Sequence, residues 1–171
     1  MIIREAIKED LKYFDIIRGE KLHKLHLKRL KEQNKNKAKY LIIFLNKQPV
    51  GHIFIRYKED RVHKIIPIFE DLFVRSNYRG KGIATKILEH AEKLVKSKGF
   101  KECYLDFEIQ EKHLEEFYEH RGYIIIGEPS HSYLTLKDKG NKKIKITFWT
   151  MKKRLVKDKE FENLNNVEFV K

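Results

Sequence analysis

Two hydrophobic periods alternate along the chain. Short runs with a strand period occupy Ile2 to Ala6, Tyr40 to Leu45, Val50 to Tyr57, Lys64 to Arg75, Lys101 to Phe107, Tyr123 to Ile126 and Ile144 to Met151. Between them lie stretches with a helical period. Leu11, Phe14 and Ile17 recur within Lys8 to Arg18, and Leu22, Leu25, Leu27 and Leu30 form an imperfect stripe within Glu20 to Gln33. The longest helix is predicted from Gly82 to Lys98, with Ile83, Ala84, Ile87, Leu88, Ala91, Leu94 and Val95 on one broad face and Gly99 as its stop. A last helix is predicted over Glu111 to Arg121.

The connections carry their own signals. Asn34 to Lys39 reads as a loop, Asn46-Lys47-Gln48-Pro49 as the tip of a hairpin and Lys58 to His63 as a charged turn. Glu128 to Lys143 reads as a polar insertion, either a loop bordering a binding site or a disordered linker. A helical crossover from the 64–75 strand to the 101–107 strand predicts that those two pair in parallel.

Composition narrows the class. At 171 residues and 41% hydrophobic content the chain suits one domain, expected over 1–155, with a charged tail over 156–171 that docks on the domain, joins a homodimer contact or frays. Apolar runs are short and charges follow Met1-Ile2-Ile3 closely, so no membrane span or leader is read and a cytoplasmic protein is expected. Cys103 is the single cysteine and alternates with Leu105 and Phe107, the setting of a buried strand thiol. The formal charge of +13 suits a phosphate-bearing ligand. Its spread over nearly the whole chain makes nucleic-acid binding the weaker reading. His23 and His26 stand three apart with no third ligand nearby, so they read as solvent-facing and no metal site is expected.

The informative stretch is Glu70 to Thr85: an apolar strand, then Arg79-Gly80-Lys81-Gly82, then the start of the long helix. A helix N-terminus presents amides without carbonyl partners and the positive end of the macrodipole, and glycines let a ligand approach that backbone. Two glycines before a helix also occur simply to permit tight packing. The strand-turn-helix context favours the phosphate reading, while neither a Rossmann nor a P-loop pattern is present.

Arg79-Gly80-Lys81-Gly82-Ile83-Ala84 resembles the Arg/Gln-x-x-Gly-x-Gly/Ala signature of the GNAT acetyltransferases, and Leu72-Phe73-Val74 resembles the strand before it. The resemblance implies an α/β GNAT fold: a mixed, mostly antiparallel central sheet with helices on both faces and a splayed parallel strand pair. It implies acetyl-CoA as the coenzyme, its pyrophosphate on the amides of Gly80, Lys81, Gly82, Ile83, Ala84 and Thr85 beside Arg79, and its pantetheine arm along Leu72, Phe73 and Val74. Phe117-Tyr118-Glu119-His120-Arg121-Gly122-Tyr123 is similar to the family's Phe-Tyr-x-x-x-Gly-Phe segment, which implies Tyr118 as the general acid for the departing thiolate. Read on its own, Tyr118 is equally a core aromatic. Glu111 stands where the family often has a coenzyme-touching asparagine, and Leu114 where it has alanine.

An attacking amine must be uncharged, which calls for a base. Glu70 and Asp71 are the candidates, Glu70 through water and Asp71 in support, and their pattern with the following turn resembles polyamine acetyltransferases. Two adjacent carboxylates are also what a solvated strand end looks like. The expected reaction is direct transfer of acetyl from acetyl-CoA to a primary amine of a small cationic molecule. The alternatives are a protein N-terminus or lysine as acceptor, or a non-catalytic regulator that binds CoA or nucleic acid.

Overall fold

The computed structural model describes residues 1–60, 62–136 and 142–156. Its contacts cluster into two compact units, Met1–Phe100 and the part from Lys101 onward. In the first unit β1 (Ile2–Glu5), β2 (Ala38–Leu45), β3 (Gln48–Glu59) and β4 (Ile65–Val74) are antiparallel neighbours in that order. The hairpin between β2 and β3 is tighter than its composition predicts. Only Asn46 and Lys47 stand outside the strands, both with positive φ (49° and 64°), the backbone of a two-residue turn that matches strand twist.

Alternation on these strands separates two layers. Tyr40, Ile42 and Phe54 pack with Phe14, Ile17 and Leu30 from α1 (Leu11–Arg18) and α2 (His23–Asn34). The intervening Leu41, Ile43, Ile53 and Ile55, all at most 1% exposed, face the other way. There α3 (Ile83–Ser97) packs on β3 and β4, burying Ile83, Ile87, Leu88, Ala91 and Val95. Each large aliphatic side chain so buried contributes about 1.5–3 kcal/mol, which makes this face the rigid seat of the turn that precedes it. α3 stops as expected at Gly99, whose φ of +86° lets Gly99 N–H and Phe100 N–H bond the Lys96 and Val95 carbonyls.

Pairing of β3 with β4 slips once: His52 is opposite Phe73, but Phe54 is opposite Glu70. One residue of β3 therefore faces two of β4, Asp71 and Leu72, and Asp71 takes a left-handed φ of +50°. For a residue with a Cβ that conformation costs about 1–2 kcal/mol, and aspartate tolerates it better than most. Nearby, Gly51 is required by close approach, since a Cβ there would stand 2.5 Å from the Phe73 carbonyl oxygen.

In the second unit β5 (Glu102–Glu108) and β6 (Ile124–Leu136) flank β7 (Lys142–Arg154), both pairings antiparallel, and α4 (Lys112–Glu119) follows β5. Cys103 is buried, with its Sγ 3.4 Å from the Tyr123 hydroxyl. Of the polar segment 128–143, the described residues 128–136 and 142–143 are strand and not loop. Most of it extends β6 and β7 into a long hairpin, with an irregularity between Ile126 and Ser130 where Gly127 has φ +65°. Ser130 to Tyr133 are exposed, so strand pairing there proceeds without the apolar alternation that flags a half-buried strand. Of the tail expected over 156–171, residues 157–171 lie outside the described residues.

Candidate active site

The glycine turn forms as an open bend. After Val74 a short 3-10 turn over Ser76–Tyr78 leads to Arg79, and Gly80 and Gly82 adopt φ of +72° and +71°. Gly82 is the residue immediately before α3, and the first bond inside the helix runs from Lys86 N–H to the Gly82 carbonyl. The Ile83 and Ala84 amides thus lead the helix with no carbonyl partner within it. An ideal Cβ on either glycine meets nothing within 4 Å, so what excludes other residues is backbone sign and not crowding. Residues 79–82 are exposed, with Lys86 one turn into the helix. Bare amides, positive dipole end, open approach and surrounding cations fit a diphosphate. Arg79 is held at the root of the turn, its Nε donating to the Val74 carbonyl at 2.9 Å and its guanidinium lying 5.4 Å from the Phe73 ring.

The two carboxylates of the preceding strand occupy separate ion-pair sets. Glu70, 31% exposed, accepts from Arg56 Nε at 2.7 Å and Nη2 at 3.2 Å, and Arg56 Nη1 also donates to Glu32 at 2.5 Å. Asp71, 17% exposed, accepts from Arg29 Nη1 at 2.5 Å, with Arg18 Nη2 at 3.3 Å and His52 Nε2 at 4.0 Å. Burial pushes the Asp71 carboxyl up, but the Arg29 hydrogen bond and the charges of Arg29 and Arg18 outweigh it and hold it below the usual carboxylate range. Neither acid is a bare strand-end carboxylate.

Those partners were invisible in the hydrophobic pattern. α2 turns His26, Arg29, Leu30 and Gln33 toward the sheet, while Leu25 is 37% exposed. The reading of His26 as solvent-facing is therefore corrected: it is 0% exposed, its Nδ1 lies 2.7 Å from the Tyr40 hydroxyl, and its ring stacks near Phe14. His23 does face solvent, 46% exposed and 2.7 Å from Asp15. The physical reason is that Asp71 and Tyr40 offer partners a leucine could not satisfy. Spacing i, i+3, i+7 of His26, Arg29 and Gln33 was the available signal.

Burial pushes His52 down to about 3 and His26 down to about 4. Both stay neutral when folded, whereas the unfolded chain protonates them near pH 6.5. As pH falls below that value the unfolded state gains protons first, so stability drops by up to about 1.4 kcal/mol per pH unit for each ring. Denaturant titrations at pH 7 and 5.5 are expected to differ by about 2–3 kcal/mol. His52→Phe, which suits a ring surrounded by Phe14, Tyr40 and Phe73, should remove about half of that difference. An unchanged difference would show that His52 takes up protons in the native state as readily as in the unfolded one.

In the second unit Tyr118 is 8% exposed on α4, with the Phe117 and Tyr123 rings edge-on at 5.1 and 5.6 Å. Burial raises its hydroxyl to about 12, with Glu111 adding to the effect and Arg121 opposing it. The phenol keeps its proton at neutral pH. Glu111 is exposed at the start of α4. A cleft of about 740 Å³ in the first unit, floored by Tyr57 and Phe100, lies at the far ends of β4 and α3 from the glycine turn and contains none of these residues. Among the described residues no cluster of His, Cys, Asp or Glu has the makings of a metal site, and no helix is long and apolar enough to cross a membrane.

Comparison with known proteins bears on family and fold. The model of the Acetyltransferase (GNAT) family matches residues 4–123. A ribosomal-protein-alanine N-acetyltransferase from Brucella melitensis is similar at TM-score 0.72 and 15% identity, over 90% of this chain and 99% of that one. PaiA N-acetyltransferase from Thermoplasma acidophilum, solved in complex with coenzyme A, is similar at 0.63 and 19%, over 90% and 98%. An N-acetyltransferase from Staphylococcus aureus is similar at 0.68 and 16%, over 91% and 98%. At these identities the likeness is one of fold. No curated protein matches the chain in sequence.

Proposed function

The chain belongs to the acetyltransferase (GNAT) family and is an acetyl-CoA-dependent N-acetyltransferase, and from that premise we propose that its acceptor is the α-amino group of a peptide. The observation that carries this is the engagement of both acidic side chains of β4 with arginines. An acceptor that is already partly neutral places the smallest demand on a base. At pH 7.5 an α-amine is roughly one-third deprotonated, against about one in a thousand for a lysine-like amine. The name of the Brucella melitensis protein, which specifies a protein alanine as acceptor, is consistent with this reading.

The residues take the following roles. The turn from Arg79 through Gly80, Lys81, Gly82, Ile83 and Ala84 to Thr85 holds the coenzyme's diphosphate, and Leu72, Phe73 and Val74 align its pantetheine arm. Glu111, an acceptor when ionised, suits an N–H or O–H of that arm and not a phosphate. When bound, the coenzyme supplies acetyl as a thioester. Glu70, the more exposed acid, takes the amine's proton through water, and Asp71 supports the strand. Tyr118 Oη gives its proton to the departing sulfur.

A small cationic amine is the second reading, favoured by the convergence of two carboxylates, Glu32 and Glu70, on the one guanidinium of Arg56, with the exposed Lys28 3.9 Å from Glu32. Free-thiol release with a panel of N-terminal peptides, Nα-blocked lysine peptides and polyamines separates the two. Peptides with a free α-amine are expected to exceed polyamines in kcat/KM by at least about tenfold. The reverse order would establish the cationic small-molecule reading, and release with neither class would remove both.

A further inference from the structure

The ion pairs around Asp71 continue toward the coenzyme turn through one aromatic ring. Arg18, from α1, contacts the Asp71 carboxylate at 3.3 Å and places its guanidinium carbon 4.2 Å from the centre of the Phe73 ring. Arg79, from the glycine turn, lies 5.4 Å from the centre of that same ring. His52 stacks near it at 6.0 Å with an interplanar angle of 25°. Two guanidiniums on one ring repel each other, and a separate anchor on each offsets that cost, Asp71 for Arg18 and the Val74 carbonyl for Arg79.

We infer that Arg18 is a positioning residue for coenzyme binding, fixing Phe73 and through it the point at which Arg79 leaves the strand for the glycine turn. The inference rests on the reading of that turn given above. Gly80 and Gly82 carry no side chain with which to anchor themselves, so the path of their amides depends on the residue that leads into them. Arg79 is that residue, and it leans on a ring whose other contacts include α1 and β3. The bulge at Asp71 brings this about: it turns the carboxylate of Asp71 toward Arg18 and Arg29 while the next residues continue as strand to Val74. Arg18 itself touches neither the turn nor Glu70 or Tyr118, the two groups given the proton transfers, and its acidic partner Asp71 has only the supporting role. Its effect therefore belongs to affinity and not to the chemical step.

Calorimetric titration with acetyl-CoA, paired with steady-state kinetics and thermal melts, tests the inference on three proteins. Wild type must bind; if it does not, the coenzyme reading fails and takes this inference with it. Arg18→Met keeps the aliphatic length and loses charge and stacking, and is expected to weaken acetyl-CoA binding about tenfold, with KM following and kcat changed less than about threefold. Arg18→Lys retains the charge on Asp71 but lacks a planar group for Phe73, and is expected to fall between the two. Arg18 is 28% exposed, so melting temperatures should stay within about 3 °C of wild type. Wild-type binding with both variants within twofold of it would overturn the inference, and so would a loss of affinity that appears only together with a larger fall in melting temperature.

Discussion

Tyr118→Phe is expected to lower kcat by about 10²–10⁴-fold while leaving the dissociation constant for acetyl-CoA within about threefold of wild type. The substitution removes one oxygen from a ring that is 8% exposed and wedged between Phe117 and Tyr123, so the packing survives. What disappears is the proposed proton donor. Burial holds the hydroxyl at about 12, which keeps it protonated across neutral and mildly alkaline pH, and a donor is what a leaving thiolate requires. The sign of the shift matters, because a phenol lowered toward neutrality would serve better as a base. Measurement of kcat by thiol release and of affinity by calorimetry separates the donor from a core aromatic. Equal kcat in the two proteins would return Tyr118 to a packing role and leave proton delivery to solvent.

The parts of this site that could be read in the chain are those coded by adjacent residues. Gly80 and Gly82 sit between a strand and a helix in sequence as in space, so the leading amides and the open approach to them followed from one stretch, while the positive φ of both glycines came with the fold. The same holds for the buried face of α3 and for its glycine stop. What escaped was coded by pairs far apart. Arg29 and Asp71 are separated by 42 positions, and nothing near either announces the other. On α2 a leucine pattern and an inward polar pattern run out of phase, and a method that weighs hydrophobicity alone follows the leucines. The extension of β6 and β7 was hidden for a related reason, since an exposed hairpin is held by backbone pairing and leaves no apolar alternation to read. Asp71 joins both lessons. Its identity marked it as chemistry, and only the fold showed the two guanidiniums that claim it.

That claim has a measurable cost when it is broken. Asp71→Asn is expected to destabilise the protein by about 3–5 kcal/mol in denaturant titration at pH 7, because it leaves Arg29, 7% exposed, without its anion. Asparagine keeps the shape and tolerates the left-handed φ, so the loss isolates charge from backbone strain. Arg29→Met with Asp71→Asn should be less damaging than the sum of the single changes, since the double variant strands no buried charge. The pH dependence gives a second handle. A carboxyl held below its ordinary value contributes fully above the unfolded value near 3.9 and is lost only as pH falls through the lower folded one. The Asp71→Asn penalty should therefore be undiminished between pH 7 and 5.5, the interval over which His52 and His26 erode wild type and variant alike. A penalty below about 1 kcal/mol is what a solvated surface pair gives, and it would mean that the arginines do not hold the bulge of β4 in place.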